Sequence, residues 1–318
     1  MGVAGKSIQA RSRSGRHEAS FDLELQGPLD PAASLEMFRR SGDDLLDRWD
    51  GKTFLRTIAA KGRMVAYATA FLGTPARPIL RVIVEDGAYL EPVTAAARAT
   101  FLSAPRAFAE LRRADPVLAR VEARYCGFRP VLQLNLLGAL VRCISAQQVN
   151  LRWACETRRR LAERFGDRHT VAGAIVYSLS AERLGNAAPA EIRAIQFTNR
   201  KAEYIVATAQ AIAGGQINME RLAALSDAAV IDELVALRGI GMWTAEWILA
   251  RALGRPRVVA GDLGVRKAVG IAYRKGAIPS EEQVRDLTAH WSVSAAYAQA
   301  LLLHALAEKE LEALAAAH

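Results

Sequence analysis

A change of period near residue 95 constrains this 318-residue chain more than any other feature. Before it, apolar and polar residues alternate. Phe21, Leu23 and Leu25 mark one half-buried strand, and Thr53 to Ile58, Met64 to Phe71 and Ile79 to Val84 add β-branched and aromatic runs separated by Gly, Lys or Pro. Pro31 to Asp47 reads as helix, with its proline at a tolerated first position. Beyond residue 95 the strand pattern fades and helix-length segments take over. Pro130 can open a helix whose Leu136, Leu137, Leu140, Val141 and Ile144 form one apolar stripe. Trp153 to Phe165, Pro189 to Ala213, Asp227 to Leu237 and Leu301 to Ala316 follow, with Gly166, Gly214-Gly215 and Gly239 as exits. The expected class is α+β: a basic flexible tail at 1–18, a sheet-plus-helix domain at 19–110 and a mostly helical core at 111–318.

Charge narrows the partners without naming one. Lys and Arg outnumber Asp and Glu by 42 to 33, a formal charge of +9 that favours polyanions but equally suits solubility or a membrane surface. No apolar run reaches the roughly 18 residues of a membrane span, and Met1 to Ser20 has no apolar core to make it a secretory signal. Cys126, Cys143 and Cys155 are odd in number and match neither an iron-sulfur nor a zinc spacing, which points to a reducing cytoplasm. His169, His290 and His304 show no metal spacing either.

The run Leu237-Arg238-Gly239-Ile240-Gly241-Met242-Trp243-Thr244-Ala245 joins two helical patterns across 231–253. Gly239 and Gly241 permit a compact turn, Ile240 can point inward, and the amides at the next helix start can attract a phosphate oxygen. A plain helical turn fits the Gly-Ile-Gly by itself, and this is not the Gly-x-Gly-x-x-Gly of a dinucleotide site. Further on, Ala260-Gly261-Asp262-Leu263-Gly264 sets a solitary carboxylate at a helix start. It reads as an ordinary N-cap or, if it faces a cleft, as a catalytic group.

Together, Leu237 to Ala245 and Ala260 to Val269 resemble the helix-hairpin-helix, Gly/Pro-Asp superfamily of DNA glycosylases, and within it the bacterial 3-methyladenine DNA glycosylase II family. The resemblance runs from about Pro116 to Leu306 and includes Cys143-Ile144-Ser145-Ala146-Gln147-Gln148-Val149 and Asn199-Arg200-Lys201-Ala202-Glu203-Tyr204-Ile205. It implies an amino-terminal antiparallel sheet domain and a two-lobed helical core around a damaged-base cleft. The implied partner is duplex DNA carrying a damaged base, bound by a monomer at the nucleoid, with no membrane.

By the same resemblance Asp262 takes the position of the catalytic carboxylate that stabilises an oxocarbenium ion on a flipped nucleotide. Trp243 stands where strand-cleaving relatives carry a Schiff-base lysine, so a monofunctional hydrolase acting on 3-methyladenine or 7-methylguanine is implied. Trp243 is also expected in the base pocket, with a core tryptophan as the competing reading. Gln148 matches the wedge that enters the space of the flipped nucleotide, with Gln147 beside it, although both also suit an ordinary helix end. Arg238, Gly239, Gly241 and Thr244 are the expected phosphate contacts. The backbone carbonyls of Val235, Leu237 and Ile240 match a sodium or potassium site; the chemistry itself needs no cofactor, and no iron-sulfur cluster is expected. The segment Trp291-Ser292-Val293-Ser294-Ala295-Ala296-Tyr297-Ala298 departs from the family, because Ser294 replaces an aromatic and would enlarge or polarise the pocket, with Tyr204 as one compensating aromatic. That departure leaves open a uracil or hypoxanthine glycosylase, and a noncatalytic damage-binding protein stands as the other class.

Overall fold

The computed structural model describes residues 9–13 and 16–316, with side chains from residue 18 onward. Six strands form an antiparallel sheet in the order β1-β2-β6-β5-β4-β3: β1 (Gln9–Arg13), β2 (Arg16–Glu24), β3 (Arg48–Trp49), β4 (Thr53–Ala60), β5 (Arg63–Thr74) and β6 (Arg77–Val84). The strand alternation is realised here: Phe21, Leu23, Leu80, Val82 and Val84 turn to one face and are buried. Helix α1 (Leu90–Ala99) lays Val93 and Ala97 onto that face.

The helical part contains two further hydrophobic cores. One gathers α3 (Leu136–Ala146), α4 (Leu151–Phe165), α5 (Asn199–Ala213), α6 (Asp227–Val235) and α7 (Met242–Arg251). The other joins α2 (Pro116–Arg124) to α8 (Leu263–Tyr273) and α9 (Ala295–Ala307), so this lobe draws on two distant stretches of chain. The class is thus α+β, an antiparallel sheet followed by a two-lobed helical core. Among the described residues no helix is long and apolar enough to cross a membrane.

Several expectations need correction. Residues 9–13 and 16–18, placed within a flexible tail, are strand, ordered by β1–β2 pairing from Gln9↔Ser20 to Arg13↔Arg16; residues 1–8, 14 and 15 lie outside the described residues. The helix expected over Pro31 to Asp47 is only Pro31–Leu35 and Met37–Arg40. Beyond it, the Asp43 and Asp44 carboxylates accept from the Leu45 and Leu46 amides, and Leu45 takes φ 65°, which diverts the backbone from helix. Pro130 opens no helix, because Val131 pairs with Phe101 and Asn135 caps α3 through the Gly138 amide. The single helix expected over Pro189 to Ala213 breaks at Gln196 (φ 76°), and Thr198 caps the second half. Leu301 to Ala316 likewise divides, at Lys309 (φ 62°), between α9 and a short helix Leu311–Ala316.

One element was not anticipated. β7 (Gly166–Val171) and β8 (Ala174–Leu179) form a hairpin whose turn residues Ala172 and Gly173 both have positive φ. Its inward Val171 and Val176 pack on Leu55, Ala66 and Ala68, closing the second face of the sheet.

Candidate active site

The two helical lobes meet through one hydrogen bond between the residues the sequence singled out. Asp262 is the N-cap of α8, and its Oδ1 accepts from the Val265 amide at 3.0 Å. Its Oδ2 accepts from the Trp243 indole Nε1 at 3.0 Å, and Trp243 lies on α7 in the other lobe. The carboxylate is half-buried and held by two donors, one for each oxygen. Trp243 is also half-buried, packed with Trp247 and Leu102 against Ala250, Val259 and Ala296. The indole therefore serves as an orienting donor as well as an apolar wall. Sequence reading missed that role, because no spacing within α7 says which residue of a distant turn it will face.

The backbone before Asp262 is fixed as well. The Asp262 amide donates to the Val259 carbonyl at 3.0 Å, and the Val259 amide to Gln299 Oε1 of α9 at 2.8 Å. Gly264 is required beside the carboxylate, since a Cβ there would come within 2.9 Å of Asp262 Oδ1. Burial foremost, with the Asp262 charge adding to it, pushes the nearby Cys143 thiol well above the usual thiol range, so this cysteine is not a nucleophile.

The hairpin presents an open helix start. Gly241 caps α7 without any side-chain hydrogen bond, and a Cβ on it would meet nothing within 4 Å. The first amides of α7 thus lack a capping partner on an exposed surface, the arrangement that suits an oxygen anion. Gly239 is constrained differently: its φ is +87°, and a Cβ there would come within 2.1 Å of the Tyr204 ring. Tyr204 therefore backs the hairpin.

The remaining expected residues differ in exposure and partners. Arg238 is 68% exposed and pairs with Glu203 of α5 at 2.7 Å, so a phosphate would compete with that carboxylate. Thr244 is 1% exposed, which leaves its backbone amide and not its hydroxyl for a phosphate. Gln147 donates its Nε2 to the Gly239 carbonyl at 3.1 Å, tying the end of α3 to the hairpin. Gln148 alone stands exposed, in a left-handed conformation with φ 54°. Lys201 of α5 donates to the Ser145 carbonyl at 2.9 Å, a cation at the end of α3 whose ammonium is held below its usual range by burial. Ser294 does not line an open pocket: it is 1% exposed, and its hydroxyl has no partner. It is the N-cap of α9, two residues after the kink at Ser292 (φ 46°), and the intervening Val293 is exposed in its place.

Two residues were overlooked in the sequence. Trp247 lies one turn after Trp243 on the same face of α7, an i,i+4 pair readable from spacing alone. Glu246 is buried and receives Arg285 Nη2 at 3.2 Å, a second tie between the lobes. For a cation, the Leu237 carbonyl also accepts from the Ile240 amide at 3.1 Å, and its second lone pair stays available. Among the described residues no cluster of His, Cys, Asp or Glu could hold a metal through side chains.

Comparison with known proteins agrees with this fold. Residues 141–292 match the model of the HhH-GPD superfamily base excision DNA repair proteins. A DNA-3-methyladenine glycosylase of Bacillus subtilis is 28% identical over 193 residues, 60% of this chain and 64% of that protein, so the chain spans just under two thirds of this relative's length. A 3-methyladenine DNA glycosylase from Archaeoglobus fulgidus superposes with a TM-score of 0.79 at 25% identity, covering 91% of this chain and 98% of its own. A Clostridium acetobutylicum 8-oxoguanine glycosylase/lyase in complex with duplex DNA shares the fold with a TM-score of 0.69 at 18% identity, over 95% and 98% of the two chains. One fold thus spans a 3-methyladenine glycosylase and an 8-oxoguanine glycosylase/lyase.

Proposed function

This chain belongs to the helix-hairpin-helix Gly/Pro-Asp (HhH-GPD) superfamily of base excision DNA repair proteins, in its 3-methyladenine DNA glycosylase II family, and from that premise we propose that it is a monofunctional DNA glycosylase for alkylated bases. The observation that carries this reading is the Asp262 carboxylate fixed between the Val265 amide and the Trp243 indole. Its substrates would be 3-methyladenine and 7-methylguanine in duplex DNA.

The chemistry follows from charge. A purine alkylated at N3 or N7 is already cationic, so when the bond from C1′ to the base breaks, the electron pair leaves with a neutral base and no general acid is needed. The sugar becomes an oxocarbenium ion, which the Asp262 carboxylate stabilises at close range. Water then adds at C1′ and gives up a proton to the surrounding solvent, leaving an abasic site. Trp243 holds the carboxylate in place and offers an aromatic face to an electron-poor base. As it occupies the position of the lyase lysine, no amine stands there to form a Schiff base.

DNA would be held at this same amino-terminal end of α7. The open amides after Gly241 take a backbone phosphate, with Arg238 adding charge once it leaves Glu203. The carbonyls of Val235, Leu237 and Ile240 would hold a monovalent cation, whose charge would favour a backbone phosphate near the hairpin and would take no part in bond breaking. Gln148 is the exposed side chain able to fill the gap left by a flipped nucleotide.

A panel of duplexes containing 3-methyladenine, 7-methylguanine, uracil or hypoxanthine tests the reading. Alkali-labile abasic sites are expected in the alkylated duplexes, with no protein–DNA adduct trapped by borohydride. Release of only the neutral bases would redirect the substrate assignment, and tight binding with no release would leave a noncatalytic damage-binding protein.

A further inference from the structure

Where the sheet meets α3 lies a cavity unrelated to the cleft, walled in part by Leu46, Asp47, Arg56, Gln133, Tyr177 and Ser178. Two donors on this wall have no partner: Arg56 Nη1 and Gln133 Nε2. Both residues are deeply buried, Arg56 at 2% exposure and Gln133 at 3%. A buried donor without an acceptor is costly, so an occupant that accepts hydrogen bonds is expected between them.

Charge decides what kind of occupant. Arg56 donates its Nε to Asp47 at 3.0 Å and Nη2 to the Leu132 carbonyl at 3.0 Å. Arg142 reaches both Asp44 (3.0 Å) and Asp47 (3.3 Å), and Arg158 reaches Asp44 at 2.8 Å. Three guanidinium groups therefore share two carboxylates, leaving one positive charge uncompensated in the interior. Two acceptors on the wall are already in use: Asp47 engages Arg56 and Arg142, and the Ser178 hydroxyl meets His169 Nε2 at 2.9 Å. A buried excess of positive charge beside two free donors selects an anion over a neutral water.

Size narrows the class. The space open to the centre of a water-sized sphere is about 20 Å³, and a water needs roughly 10–15 Å³ on that measure. A single halide fits that space. We propose that this cavity is a structural halide site, occupied by chloride held between Arg56 Nη1 and Gln133 Nε2, which locks the sheet domain to the helical lobe. The site is independent of the glycosylase reading.

Crystals of the full chain grown in sodium bromide and measured at the bromine edge test the proposal. An anomalous peak within hydrogen-bond distance of both donors is expected, and it should vanish in Gln133→Leu, which removes one donor at similar volume. A cavity filled by ordinary water with no anomalous signal would overturn the proposal, as would an undiminished peak in Gln133→Leu. In solution, the thermal midpoint should be several degrees higher in sodium chloride than in sodium gluconate at equal ionic strength, since a ligand that binds only the folded state stabilises it. Equal or reversed midpoints would contradict it. If Gln133→Leu fails to fold, the wild-type peak and the salt comparison decide.

Discussion

Asp262 commits one oxygen to its own helix and the other to a tryptophan of the opposite lobe, so its orientation depends on both. The indole bond to an ionised carboxylate should contribute about 1.5–3 kcal/mol to holding that geometry. Trp243→Phe keeps an aromatic wall but removes the donor. It should lower the single-turnover excision rate roughly tenfold or more, while duplex affinity changes little. An unchanged rate would show that Trp243 acts only as a wall. The identity of Asp262 was legible in the sequence because capping is local. Its bond to Trp243 was not, because it forms only once two separately cored lobes meet. Ser294 shows the same limit: spacing aligned it with an aromatic, but the Ser292 kink buries it.

Among the elements, the hairpin is the most tightly specified. Gly239 combines a positive φ with contact against the Tyr204 ring, so Gly239→Ala brings both backbone strain and overlap. Its thermal stability should fall by about 2–4 kcal/mol, and Tyr204→Ala in the same background should restore part of the loss by opening space. No recovery would place the whole cost in the backbone. The helices flanking this turn were legible because their apolar stripes are strong and the glycines sit between them. The β7–β8 hairpin was not, since its polar Asp167-Arg168-His169-Thr170 stretch lacks the apolar richness of a strand and gains its order by covering the sheet. Likewise, the apolar spacing over Pro31 to Asp47 looks helical, but two aspartate turns override it.

At the scale of the molecule, the sheet and the lobes are joined through buried charge. Burial by itself would raise the Asp44 pKa, but Arg142 and Arg158 outweigh it and lower it to about 2. A carboxylate held below its unfolded value adds stability that is fully present above about pH 4 and is lost as pH falls through the folded value. Asp44→Asn should therefore be less stable at neutral pH by about 3–5 kcal/mol. Its stability should also fall less steeply than wild type between about pH 4 and 2, as read from denaturant melts at each pH. Parallel curves would contradict the pairing. The two-part α+β plan was legible from the change of period, whereas this junction was not, because its five charged residues lie on four segments, two of them far along the chain from the others. The lobes meet at Asp262, and there the central claim is most exposed. Asparagine caps a helix as well as aspartate does, so Asp262→Asn should keep the thermal midpoint and duplex affinity of the wild type. The deciding measurement is single-turnover release of 7-methylguanine from duplex DNA by the two proteins: a loss of about a hundredfold or more in Asp262→Asn is the predicted result, and release at the wild-type rate would contradict the account.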